Sequence, residues 1–152
     1  MACWLFKSEP DVFSIDHLAA EPDQQCRWDG IRNYQARNHL RDRVKPGDRA
    51  LFYHSSCKAV GIAGIMVITS AGYPDPDQFD AASDGYDPAS TADKPRWFCV
   101  DVKLARKFAR LIPLSELKQQ RTLQDMVLFR QGRLSIVPVT DKEWQAILCL
   151  AD

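Results

Sequence analysis

The sequence predicts a single α+β domain: a small mixed β-barrel or curled sheet of five or six strands, surrounded by short helices. Three observations carry this. Strand-like apolar runs fall close together along the chain, at 3–8, 50–54, 60–69, 96–111 and 135–137. The helical signals between them are short and separately capped, so they do not build the regular strand–helix–strand alternation of a doubly wound sheet. No stretch reads as a linker and no segment repeats, so residues 1–152 form one domain with enough chain to bury a core.

The elements follow in order. Cys3 to Ser8 is a first strand. Phe13-Ser14-Ile15-Asp16-His17-Leu18 starts a helix, with Ser14 as cap and Phe13 and Leu18 as a hydrophobic staple, and Glu21-Pro22-Asp23 ends it. Asn33 caps a second helix running to Arg41, and Pro46-Gly47-Asp48 is the turn after it. Ala50–His54 and Val60–Thr69 are strands. Gly61 and Gly64 inside the second of these indicate a bulge, a bend or a close approach by a ligand or another chain. Residues 73–95 hold four prolines and many aspartates and read as one long loop, a feature often functional in a compact domain. Arg96–Leu111 alternates as a long, bent strand. Short helices at 114–119 and 123–130 lead to a last strand at Ser135–Val137. Thr140-Asp141-Lys142-Glu143 is a capping box that opens the C-terminal helix, with Val139 and Trp144 as its staple.

Composition narrows the function. Hydrophobic residues make up 45% and charged residues 26%, which excludes a disordered chain and a membrane protein. Met1–Lys7 is too short an apolar run for a signal peptide or a span, so a cytoplasmic protein is expected. The five cysteines form no paired motif and the three histidines no ligand pattern, so reduced thiols, no metal and no cofactor are expected. With 20 basic and 20 acidic residues the net charge is zero, against a surface that grips phosphates everywhere. The charges are uneven, however. Residues 27–49 hold seven basic and three acidic residues, residues 103–110 four basic and none acidic, and residues 73–93 six aspartates and no basic residue. A local basic face and scattered solvated charge are both compatible with this.

No enzyme motif stands out. There is no glycine-rich nucleotide loop and no nucleophile elbow. His54 and Cys57 are sequence neighbours, whereas catalytic Cys/His pairs come from distant segments. Asp75, Asp77 and Asp80 lack the glycine and distal glutamate of a calcium loop. Four other segments mix hydrogen-bonding groups with an aromatic or basic neighbour: Lys7-Ser8-Glu9-Pro10, Trp28 to Asn38, Phe52 to Ser56, and Arg133-Leu134-Ser135. A pocket for a flat heterocycle needs that mixture. Each also has a plain structural explanation: Trp28 as core, Asn33 as a cap, Tyr34, Tyr53 and His54 as half-buried side chains, Arg37 and Arg41 as a solvated face.

The same segments resemble the EVE domain. Trp4 to Asp11, Trp28-Asp29-Gly30-Ile31-Arg32-Asn33-Tyr34-Gln35-Ala36-Arg37-Asn38, Phe52-Tyr53-His54-Ser55, Tyr73-Pro74-Asp75, Arg96-Trp97 and Arg133 to Val139 look like its signature blocks, in order and over nearly the whole chain. The chain is similar to stand-alone bacterial members, close to the thymocyte nuclear protein family. The resemblance implies a PUA-like barrel related to YTH and ASCH domains. It implies a non-catalytic reader that accommodates a modified base in nucleic acid, a modified cytosine in DNA or a modified RNA base; a monomer with no membrane partner is the separate expectation. By position, Lys7 and Ser8 line one wall and Trp28 stacks on the base. Asn33, Tyr34 and Asn38 supply hydrogen bonds or close the rim. Tyr53, His54 and Ser55 form the opposite wall, and Arg133 and Ser135 meet a phosphate or anionic group. The second cage tryptophan of YTH readers has no clear counterpart; Trp97 or a residue of the 73–95 loop is the candidate for it, and otherwise the cage is incomplete. On this reading Trp28→Ala abolishes selective binding and leaves the fold intact. A small-molecule or nucleotide sensor, and an enzyme using His54 and Cys57, are the competing readings.

Overall fold

The computed structural model describes residues 1–152. Its strands are β1 (Cys3–Ser8), β2 (Gln25–Trp28), β3 (Arg49–His54), β4 (Gly61–Ile68), β5 (Tyr73–Pro74), β6 (Phe98–Pro113) and β7 (Ile136–Val139). They form one mixed sheet in the order β2-β6-β4-β3-β1-β7, with β5 paired to the start of β6. β1 and β3 are parallel, with Lys7 beside Tyr53 and Ser8 beside His54, and the remaining pairs are antiparallel. The path ends on β2 and β7, so the sheet does not close into a hydrogen-bonded ring. Register shifts at Phe52/Tyr53, Ile62/Gly64 and Ile65/Met66 supply the bends that a curled sheet needs.

The seven strands exceed the expected five or six by β2 and β5. Gln25-Cys26-Arg27-Trp28 does alternate in burial, but only over four residues, and it follows Asp23 and Gln24, both in left-handed backbone at φ 56°. β5 is two residues long and contains Pro74, which fits an edge. The long loop is thus tied to the sheet at its start.

β4 sits between β3 and β6, and Gly61 to Met66 are all buried, which explains its continuous apolar run. The approach inferred at its glycines is that of β6: a methyl on Gly64 would collide with the Arg106 carbonyl oxygen and the Ile15 side chain. Gly64→Ala is therefore expected to destabilise by about 1–3 kcal/mol, seen as a lower urea midpoint with unchanged slope. An unchanged midpoint would mean that β6 yields without cost.

The helices are α1 (Ile15–Ala20), α2 (Tyr34–Asn38), α3 (Leu114–Lys118), α4 (Val127–Arg130) and α5 (Asp141–Ala151). Their caps are those expected. Ser14 Oγ accepts from the His17 backbone N–H at 3.2 Å, Asn33 Oδ1 from Ala36 N–H at 3.0 Å, and Thr140 Oγ1 from Glu143 N–H at 3.2 Å. Each such cap contributes about 1 kcal/mol. The helix expected over 33–41 splits: α2 stops at Asn38, and His39–Arg43 continue as one wider π turn. α1, α3 and α5 pack on β6, and one continuous apolar core joins the sheet to the helices. No helix is long and apolar enough to cross a membrane.

Candidate functional site

The carboxyl end of β1 is a wall between two cavities. Lys7, Ser8 and Glu9 line both. The first cavity, about 500 Å³, is completed by Val12 and Phe13, Glu21, and the run Cys26 to Ile31 that carries β2 into the next loop. The second, about 540 Å³, is completed by Tyr53, Ser55, Ser56 and Val60 around the β3–β4 turn, with Leu114, Gly132, Arg133 and Ser135. A smaller third space of about 270 Å³ adjoins the second through Gly132 and Arg133 and reaches Asn33 and Gln35.

The first cavity has an aromatic side. Trp28 is only 6% exposed, and its ring centroid lies 5.5 Å from Phe6, 6.2 Å from Phe13 and 5.3 Å from Phe52. It is therefore core and cavity wall at once. The expectation that alanine here leaves the fold intact does not survive this packing. Phe13, half-buried and edge-on to Trp28, is the second aromatic of the cavity. Trp97 is not. Its Nε1–H donates to Asp87 Oδ2 at 2.8 Å, its ring stacks on Tyr34 at 4.9 Å, and the Arg32 guanidinium lies 5.5 Å from it.

Polar groups complete the cavity. Ser8 Oγ–H donates to the Phe13 carbonyl at 2.6 Å and fixes the turn after β1. Lys7 Nζ donates to the Gly132 carbonyl at 2.7 Å, and burial lowers its pKa. Glu9, Glu21 and Asp29 are among the lining residues, and Arg27 Nε–H donates to Asp29 Oδ2 at 2.8 Å. Burial pushes the Cys26 thiol up to about 12, so this thiol stays protonated and unreactive.

The loop at 73–95 holds the far wall in place. Asp75 is fully buried. Its Oδ2 accepts from Gly30 N–H and from Arg32 Nη1–H, each at 3.0 Å, and its Oδ1 accepts from Asp77 N–H at 2.9 Å. Gly30 at φ 77° gives the turn that points its N–H at this carboxylate. Burial alone would raise the Asp75 pKa, but the Gly30, Asp77 and Arg32 donors together hold it below the usual carboxylate range. Gln78 bolts the loop to the sheet: its Nε2–H donates to the Asp75 and Trp97 carbonyls, and its Oε1 accepts from Ser90, Arg96 and Trp97. Asp29, Asp75 and Asp77 come within 4.8 Å of one another, yet Arg27 pairs with Asp29 and Asp77, and Arg32 with Asp75, so arginines already supply the positive charge.

Of the residues singled out in the sequence, Lys7, Ser8 and Trp28 meet in the first cavity. Tyr53, Ser55, Arg133 and Ser135 join Lys7 and Ser8 in the second, and Asn33 reaches only the third. Three lie elsewhere. Tyr34, 51% exposed, is held between the Trp97 stack and the Arg37 guanidinium 5.0 Å from its ring. Asn38 Oδ1 accepts from Arg37 Nε–H at 2.9 Å. His54 is not an opposite wall: its Nε2 accepts from the Ile15 backbone N–H at 3.1 Å, its ring abuts Phe52, and burial lowers its pKa. Phe13, Asp29 and Gly30 also line the first cavity and Asp75 braces it; Asp29, Gly30 and Asp75 stand in the quoted blocks but were given no role there. The Asp-Gly pair at 29–30 was the one local signal for a wall-forming turn.

An aromatic wall, a half-buried lysine and three acidic residues around about 500 Å³ suit a planar heterocycle with a polar edge. Residues 2–150 match the EVE domain. The chain belongs to the EVE domain family. Human thymocyte nuclear protein 1 is 46% identical over 166 aligned positions, covering 98% of this chain and 73% of that protein. The structure of human THYN1 protein in complex with 5-methylcytosine containing DNA is 46% identical with a TM-score of 0.95, covering 100% of this chain and 98% of that one. A crystal structure from Pseudomonas putida is 49% identical with a TM-score of 0.93, covering 99% and 100%. The mixed sheet with short helices is therefore the PUA-like fold of these EVE domains.

Proposed function

We propose that this EVE domain binds DNA carrying a modified cytosine and holds that base, turned out of the duplex, in the cavity beside Trp28. The observation that carries the reading is the cavity itself, lined by the aromatic Trp28 and Phe13 together with Lys7, Ser8 and the acidic Glu9, Glu21 and Asp29. A cytosine presents an amino group that such acceptors hold and a face that the aromatic side stacks on. The human relative bound to 5-methylcytosine containing DNA supports cytosine and DNA as the ligand class. Turning a base out costs a few kcal/mol, and stacking returns about 1–3 kcal/mol per base. One buried methyl adds about 0.8 kcal/mol, so discrimination for the methyl alone is modest, about fourfold.

The reading is of a binding module and not an enzyme, acting as a monomer in the cytoplasm. His54 Nε2 accepts from Ile15 N–H, and Cys57 Sγ–H points to the Ala59 carbonyl, which supports this reading over a nucleophile–base pair. The test is fluorescence anisotropy with short DNA and RNA oligonucleotides at two salt concentrations. Each is unmodified or carries one 5-methylcytosine, 5-hydroxymethylcytosine or N6-methyladenine. Tighter binding of a modified-cytosine DNA is expected, with affinity falling as salt rises. Preference for a modified RNA moves the function to RNA, and equal or absent binding across the set removes base reading.

A further inference from the structure

We propose that the cavity beside Trp28 selects a positively charged base, one alkylated on a ring nitrogen, over the neutral 5-methylcytosine. This rests on the base-binding reading above and names the class of modification that the same cavity holds best. Five ionisable residues line the space: Lys7 and Arg27 against Glu9, Glu21 and Asp29. Negative charge is therefore in excess. Both cations also have partners beyond this lining. Lys7 Nζ donates to the carbonyl of Gly132, a residue of the second and third cavities, and burial works against its charge. Arg27 holds Asp29 at 2.8 Å and reaches out to Asp77 at 3.4 Å. Glu9 and Glu21 lie within salt-bridge distance of no cation in the chain.

The aromatic residues point to the same ligand. Trp28 and Phe13 both line the cavity, and tryptophan is the aromatic side chain that attracts a cation most strongly. A neutral base gains stacking alone. A cationic base gains stacking, attraction to the ring faces and attraction to the unpaired acidic residues. Glu9 and Glu21 are exposed, so solvent and salt screen them and the gain stays moderate. Pairing adds a second advantage. A methyl on N3 of cytosine makes the ring cationic at neutral pH and blocks its Watson–Crick edge. A base that cannot pair costs least to turn out of the duplex. 5-Methylcytosine offers neither advantage. 3-Methylcytosine offers both and keeps the cytosine ring.

The experiment measures affinity of the full chain for duplexes with one cytosine, 5-methylcytosine, 3-methylcytosine or 3-methyluracil at the same site. 3-Methyluracil is equally unable to pair but neutral, so it separates charge from easy extrusion. The variants are Glu9→Gln, Glu21→Gln and the two together, with thermal melting to check the fold. Both side chains are exposed, so glutamine removes charge without opening the core. The wild type is expected to bind 3-methylcytosine about tenfold more tightly than 3-methyluracil, with the ratio falling as salt rises. Each single substitution is expected to reduce that ratio, and the double variant to bring it near one. The ratio cancels any general gain from removing acidic charge near DNA. Equal binding of the two N3-methylated bases overturns the proposal, because easy extrusion then accounts for any gain over 5-methylcytosine. So does a 3-methylcytosine advantage that survives in the folded double variant. Tightest binding of 5-methylcytosine overturns this inference while the modified-cytosine reading stands. Affinity indifferent to the base overturns both.

Discussion

Trp28→Ala is expected to lower stability by about 3–5 kcal/mol, a large share of the 5–15 kcal/mol that holds a domain together. The side chain is 6% exposed and lies against Phe6, Phe13 and Phe52, which belong to β1, the turn before α1, and β3. Removing it opens a hole where three segments meet, and Phe13 loses the ring it leans on. A binding assay on the alanine variant would therefore mix loss of fold with loss of the cavity wall. Trp28→Leu separates the two. Leucine keeps most of the apolar volume and removes the aromatic face, so chemical denaturation should show a smaller loss while affinity for modified-cytosine DNA falls by about tenfold or more, in line with about 1–3 kcal/mol of stacking. A leucine variant that melts lower and still binds the modified oligonucleotide as tightly would make Trp28 a core residue only.

That double role marks the limit of what the sequence could tell. The caps at Ser14, Asn33 and Thr140, the strands β1, β3, β4 and β6, and the blocks around Lys7, Trp28 and Arg133 were all legible, because each depends on neighbours within a few residues. The assignment of side chains to cavities was not. Trp28 sits in a four-residue strand that follows two left-handed residues, so its periodicity is too brief to say which way it faces. Trp97 was a reasonable second aromatic until Asp87 and Tyr34 were seen to hold it elsewhere. His54 read as polar and pocket-facing, yet its partner is a backbone N–H of α1, a contact that only the folded sheet creates. The aspartate loop read as functional in its own right. Its buried members instead brace a wall whose residues lie far away in the chain.

Asp75→Ala is expected to show how much that brace matters, at about 3–5 kcal/mol, the cost of removing one partner of a buried ion pair. Gly30 N–H and Asp77 N–H lose their acceptor, and Arg32 keeps only the carbonyls of Ile31 and Gly85. Because Arg32 retains some exposure, the loss should fall toward the lower end of that range. The run Asp29–Ile31, which walls the first cavity, is then held less firmly, and binding of modified DNA should weaken even where the domain stays folded. Acid provides an independent reading. A carboxylate held below its ordinary range stabilises the fold fully above the unfolded value of about 3.9 and loses that contribution as pH falls through its folded value. The Asp75 shift has this sign: burial opposes ionisation, and the Gly30, Asp77 and Arg32 donors outweigh it. Stability measured from pH 7 downward should thus fall below about pH 4 in the wild type. Asp75→Asn, with no charge to lose, should start lower and fall less steeply over the same window. Parallel curves for the two proteins would show that another carboxylate carries the acid sensitivity and that Asp75 holds the wall by shape alone.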